Sequence, residues 1–272
     1  VDKPTVAILA RTNRALAPVE SLLVERGVQF HYINRSGFYS QPEVQNLIAY
    51  LGTCLFPANY LLSTILRSDY HPTKYLPRTK IAAKFKELKK QDPEVSYWKV
   101  ICETPQVLVE ARNLEALQNF KSFIHSLSRY RDLPAAESLK KIMGSLKVGD
   151  YYSEMEWMDN DPLENLATLI KMAEKHGGVK EFLDYSRRVT AASKRKKGIA
   201  LGTIHSAKGL EFSKVYLISV NDGILPHAKS TDLDEERNCF FVGCSRAEKE
   251  LTVTYSGIPS SFLVKYTQKE KQ

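Results

Sequence analysis

No run of apolar residues in this 272-residue sequence reaches the roughly 18 that a membrane span requires, and no signal-peptide pattern is present. Cysteine is scarce: Cys54, Cys102, Cys239 and Cys244 stand apart without a CxxC pair. That spacing argues against a zinc site or a disulfide framework and for reduced thiols in a cytoplasmic protein. The histidines form no ligand-spaced cluster, so no metal site is expected. Gly-x-x-x-x-Gly-Lys-Ser/Thr is absent, and so is an acidic strand-end motif of the kind that holds magnesium. Repeats and low-complexity tracts are missing as well. The sequence starts Val1-Asp2-Lys3 rather than with Met, the expectation for a piece of a longer polypeptide.

What is present is an ordinary globular composition, 43% hydrophobic and 26% charged, with a formal net charge of +8. Half of that excess sits in Lys194-Arg195-Lys196-Lys197. Such a run is either a solvated linker or a contact to a nucleic-acid backbone.

Periodicity divides the chain. Val6 to Ala10 reads as a strand, Leu16 to Arg26 as an amphipathic helix stopped by Gly27, Gln29 to Ile33 as a strand, and Pro42 to Leu55 as a helix. That alternation is the pattern of an open parallel α/β sheet. From Tyr70 to Ser193 the periodicity is mainly helical, with breaks at Pro93, Pro105, Pro134 and Gly177-Gly178. Strands return at 199–203 and 214–220, then a helix at 234–241 and a strand at 251–255. The expected organisation is an α/β domain in two segments, 1–69 and 194–272, interrupted by a helical inserted domain over 70–193.

The chemistry concentrates in Thr203-Ile204-His205-Ser206-Ala207-Lys208-Gly209-Leu210-Glu211-Phe212, between two predicted strands, and in Val242-Gly243-Cys244-Ser245-Arg246-Ala247. Ligands in open α/β sheets gather beyond the carboxyl ends of strands. Arg11-Thr12-Asn13 and Asn221-Asp222-Gly223 are two further polar strand ends. Arg11 and Arg246 are expected to converge on one edge of the sheet, as a transferring phosphoryl group requires, because guanidinium is always charged and bidentate toward phosphate. Tyr97-Trp98, Tyr151-Tyr152 and Trp157 fit either base stacking or packing within the helical block.

The two motifs, in residue type, order and spacing, resemble the last two motifs of UvrD/PcrA/Rep-type superfamily 1 DNA helicases. Phe38-Tyr39 with Glu43-Val44, Asp222-Gly223-Ile224-Leu225-Pro226, Glu235-Glu236-Arg237 and Pro259-Ser260-Ser261-Phe262-Leu263 extend the resemblance, which covers residues 5–56 and 198–264. Ala10 stands where the family usually has an aromatic residue, Gln41 where an arginine is common, and the helical middle lacks the family's Arg-Gly-Ile-Gly.

The resemblance implies the second RecA-like domain, with its helical insertion, of an ATP-dependent 3′ to 5′ DNA helicase. It implies that Arg11 and Arg246 reach the ATP γ-phosphate and act as catalytic arginine fingers. Gly209 and Glu211 join them in nucleotide binding, the glutamate on the ribose, while Thr203 and His205 face single-stranded DNA. Lys208, in a run that lacks the glycine spacing of a phosphate loop, either stabilises its own loop or meets a DNA phosphate. The phosphate cradle and most contacts to ATP and Mg then belong to an N-terminal RecA-like domain of the same polypeptide. The partners implied are that domain and single-stranded or partly duplex DNA, and the chain alone is expected to be inactive. The competing reading is a non-catalytic DNA- or protein-binding module that retains the fold.

Overall fold

The computed structural model describes residues 5–33, 37–68, 72–103, 111–154, 161–193 and 197–263. Trp157 and Lys194-Arg195-Lys196 lie outside them. The chain divides into two compact units, one of residues 1–41, 157–161 and 186–272, the other of 42–156 and 162–185.

The first unit is built on five parallel strands: β1 (Val6–Ala10), β2 (Phe30–Tyr32), β3 (Ile199–Thr203), β4 (Phe212–Leu217) and β5 (Ala247–Val253), in the order β2-β3-β1-β4-β5. The central strands are apolar on both faces because both are covered. Ala7, Leu9, Ala200, Val215 and Leu217 pack on one side with Ile204, Val220 and Cys239 of helix α11 (Leu233–Cys244). Ala10, Phe30, Tyr32 and Leu201 pack on the other with Leu16 of helix α1 (Asn13–Glu25). The alternation of successive residues along β1 and β3 between these two clusters follows from the period of two.

Helix α1 starts where Thr12 turns extended and its Oγ1 accepts from the Ala15 amide at 3.4 Å. Helix α11 starts at Asp232, whose Oδ1 accepts from the amides of Asp234 and Glu235 at 2.9 and 3.0 Å. Asp234, Glu235 and Glu236 crowd its first turn, where the helix dipole favours negative charge.

The second unit is helical: α2 (Pro42–Thr53), α3 (Asn59–Ile65), α4 (Arg78–Leu88), α5 (Tyr97–Glu103), α6 (Ala111–Ser126), α7 (Ala135–Leu146), α8 (Val148–Ser153) and α9 (Pro162–Ala173), with α10 (Val179–Ala192) crossing the boundary at Tyr185/Ser186. Its core includes Tyr50 set edge-on to Phe123, with centroids 5.9 Å apart. A buried polar link joins α2 to α9, the Asn165 amide donating to Glu43 Oε1 at 2.5 Å. Helices α2 and α3 belong to the helical unit, whereas sequence pattern grouped them with the sheet. Val44, Leu47 and Leu51 of α2 are buried, and α2 packs on α3, α7 and α9.

Two sets of aromatics are engaged in packing. Tyr97 lies flat on Phe85 with centroids 3.8 Å apart, and Tyr151 meets Tyr152 edge-on at 5.0 Å.

Candidate nucleotide and nucleic-acid edges

In an all-parallel sheet every strand points the same way, so the strand ends define two opposite edges. At the carboxyl edge, β3 ends on Thr203, level with Ala10 of β1, and the Ile204 amide donates to the Ala10 carbonyl at 2.9 Å. Thr203 Oγ1 accepts from the Ser206 amide at 3.2 Å, and the Ser206 hydroxyl donates back to the Thr203 carbonyl at 2.7 Å. This reciprocal turn leaves His205 exposed. The turn depends on Gly202, where a Cβ would stand 2.5 Å from Ser206 Oγ and 2.7 Å from Ile33 Cδ1.

From that turn the chain crosses back along the sheet. Ile204 and Ala207 are buried anchors, whereas Lys208, Gly209, Leu210 and Glu211 are exposed. Gly209 takes φ +82°, a left-handed conformation that costs glycine little. The segment then enters β4 at the amino edge.

Arg246 meets it there. Its Nη1 donates to the Leu210 carbonyl at 2.9 Å, its Nε to the Val242 carbonyl at 3.0 Å and its Nη2 to Ser245 Oγ at 2.8 Å. The Phe212 amide in turn donates to the Arg246 carbonyl at 2.9 Å. Three expected nucleotide-site residues, Gly209, Glu211 and Arg246, are therefore assembled on one edge. A guanidinium that donates to an anion and an exposed carboxylate that accepts from a diol are groups that suit a nucleotide.

Arg11 is not with them. It follows the last residue of β1 at the carboxyl edge, whereas Arg246 immediately precedes β5 at the amino edge. Phe212 pairs with Ala247, and Lys214 with Val6. By that register the Arg11 backbone stands about eight residues, or roughly 26 Å, further along the strand direction at ~3.3 Å per residue. The backbones of the two arginines thus stand at opposite strand ends, because one residue follows its strand and the other precedes its own, while both guanidinium groups reach helix α11.

Arg11 has a different engagement. Its Nε donates to both carboxylate oxygens of Glu236 at 3.2 Å and its Nη2 to Oε1 at 2.7 Å, with side chains only 7% and 2% exposed. Glu236 Oε2 also accepts from the His227 amide at 2.9 Å. Sequence reasoning placed Glu236 at the start of the helix leading to Arg246 without seeing it as the partner of Arg11. An acid in that first turn was the visible signal, and the tertiary approach of β1 was not.

The remaining polar strand end is structural. The Asn221 amide donates to the carbonyls of Ser256 and Ile258, and its Oδ1 accepts from the Ser256 amide at 3.4 Å. Among the described residues, no group of three His, Cys, Asp or Glu side chains could hold a metal ion, and no helix is long and apolar enough to cross a membrane.

Known proteins are similar to this chain in sequence. The sequence is 26% identical over 271 residues to the ATP-dependent DNA helicase srs2 of Schizosaccharomyces pombe, covering 89% of this chain and 30% of the relative. It is 25% identical over 281 residues to the ATP-dependent DNA helicase PcrA of Bacillus subtilis, covering 94% and 37%. It is 27% identical over 274 residues to the ATP-dependent DNA helicase Rep of Escherichia coli, covering 91% and 39%. The chain thus spans well under half the length of each of these three relatives. The UvrD-like helicase C-terminal domain family matches residues 78–257. With a RecA-like parallel sheet, a helical unit and that match, the chain belongs to the UvrD-like helicase C-terminal domain family.

Proposed function

We propose that this chain is the C-terminal part of an ATP-dependent DNA helicase that moves 3′ to 5′ along a single strand. The observation that carries the reading is the path of Thr203–Phe212, which starts at the carboxyl edge of the sheet and ends fastened to Arg246 at the amino edge. The unit that carries the sheet would form the RecA-like domain and the helical unit, from Pro42 to Tyr185, its insertion.

At the amino edge, Arg246 would stabilise charge developing on the γ-phosphoryl group, the role in which an arginine contributes about a thousandfold or more to hydrolysis. Glu211 would accept from the ribose hydroxyls, and Gly209 would let the backbone approach the nucleotide closely. ATP and Mg, held mainly by an N-terminal RecA-like domain, would supply the phosphoanhydride and its charge neutralisation. Arg11 would be the second arginine on the γ-phosphoryl group, as the resemblance implies. At the carboxyl edge, Thr203, His205 and, on the crossing segment, Lys208 would hold DNA phosphates without reading bases.

Paired variants of the native polypeptide test the reading. Arg246→Ala should depress DNA-stimulated ATP hydrolysis and spare single-strand affinity, while His205→Ala should weaken single-strand affinity first. Equal loss of both properties in both variants would refute the division between edges.

A further inference from the structure

We infer that the helical unit carries a docking cleft for an acidic peptide where α4 meets α5, with a large apolar side chain of the peptide on its floor and carboxylates at its rim. The inference goes beyond the helicase reading and does not depend on it.

The cleft holds about 540 Å³ and is lined by Ala82, Phe85, Lys86, Lys89, Lys90 and Tyr97. Its floor is apolar and held in place. Phe85 is buried, and the Tyr97 ring lies along it, with planes 13° apart. The start of α5 is fixed by Asn59, whose Oδ1 accepts from the Tyr97 amide at 2.7 Å and whose Nδ2 donates to the Val95 carbonyl at 3.3 Å. Ala82, one turn before Lys86, is exposed and leaves room that a longer side chain would fill.

The rim is cationic and unbalanced. Between Arg78 and Lys90 stand six cations, Arg78, Lys80, Lys84, Lys86, Lys89 and Lys90, against one acid, Glu87. Glu87 is taken by Lys84 at 2.9 Å, and the nearby Asp92 faces Lys99 at 4.0 Å. Lys86, Lys89 and Lys90 are exposed and, among the described residues, have no carboxylate partner. Lys86 and Lys89 are three apart at the end of one helix, a spacing at which like charges cost stability. A helix C-terminus favours a cation, but that does not explain an aromatic floor set among three of them.

A nucleic acid would match the charge and not the shape. Phe85 has Tyr97 against it and Lys89 Nζ 5.4 Å from its centroid, which leaves no open face of that ring for a base. A duplex backbone is convex and charged, and would leave the apolar floor uncovered. A peptide with phenylalanine, tryptophan or leucine between carboxylates satisfies both parts. The apolar side chain fills the floor, and the carboxylates pair with the three ammonium groups around it, an apolar centre inside a polar rim.

The test titrates the native polypeptide into a fluorescent aspartate peptide with one central phenylalanine and reads anisotropy. Exchanging that phenylalanine for alanine should weaken binding about tenfold, the scale of one large apolar side chain buried. Lys86→Gln, Lys89→Gln and Lys90→Gln combined should also weaken it about tenfold, as three rim ion pairs allow. Ala82→Arg adds a cation but fills the cleft, and should weaken binding where a merely electrostatic patch would tighten it. The replaced side chains are all exposed, and circular dichroism checks that both variants fold. Undetectable binding by the unaltered polypeptide, equal affinity for the alanine peptide, or wild-type affinity in the triple variant overturns the inference. So does a triple variant that loses affinity for a short DNA duplex and keeps it for the peptide, which would make the lysines a nucleic-acid contact.

Discussion

Glu20 lies on the face of α1 that packs against the sheet, and it is 1% exposed. Burial pushes its carboxyl up from 4.5 to about 8, and the neighbouring Tyr32 hydroxyl offsets only part of that rise. Neither Glu20 Oε2 nor the Tyr32 hydroxyl makes a hydrogen bond of proper geometry. Between those two pH values the folded chain holds a proton on Glu20 that the unfolded chain has released. Stability is therefore fully present below the unfolded value and falls as pH rises toward 8, by at most about 1.4 kcal/mol per pH unit. Over the whole interval, 8 minus 4.5, the loss is on the order of 5 kcal/mol, an upper figure because water entry and relaxation reduce it. Glu20→Gln removes the titration. Urea denaturation followed by circular dichroism should find the variant close to wild type at pH 5 and more stable by several kcal/mol at pH 8. A difference between variant and wild type that stays constant from pH 5 to 8 would refute the burial argument.

Three other substitutions have outcomes set by the same structure. Gly202→Ala forces its methyl against Ser206 Oγ and Ile33, and should cost about 1–3 kcal/mol in denaturant titration; an unchanged midpoint would mean the Thr203–Ser206 turn is not tight. Asn165→Ala takes a donor from the buried Glu43 carboxylate, and should destabilise the helical unit by about 1–3 kcal/mol, read by urea denaturation; wild-type stability would show the link is dispensable. Neutralising Lys194, Arg195, Lys196 and Lys197 should flatten the salt dependence of single-strand binding by about 0.7 in log–log slope for each phosphate those cations pair with; an unchanged slope leaves the run as a linker.

The sheet was legible because its strands are short apolar runs bounded by turns. β3 falls on the predicted 199–203, while β4 and β5 start two and four residues earlier than expected, and at β5 charged Glu248, Lys249 and Glu250 face outward and mask the strand pattern. The long amphipathic helices α6, α7, α9 and α10 were legible from period alone. The short helices α3, α5 and α8, of seven, seven and six residues, were not, since two turns carry too little periodicity. At the site, the order Thr203 to Glu211 and the placement of Arg246 beside it could be read from motif spacing. The position of Arg11 could not, because no local pattern says whether a residue that follows a strand shares an edge with one that precedes another. Strand direction decides that, and it is a tertiary fact. The Arg11–Glu236 pair, 225 positions apart in sequence, is invisible for the same reason.

The central claim is that the amino edge, through Arg246, completes an ATP site. Its most direct test is the rate of DNA-stimulated ATP hydrolysis by the native polypeptide carrying Arg246→Ala, with single-strand affinity measured on the same preparation. A loss of about a thousandfold or more in turnover, at unchanged DNA affinity, is the predicted result. Wild-type turnover in that variant would contradict the account.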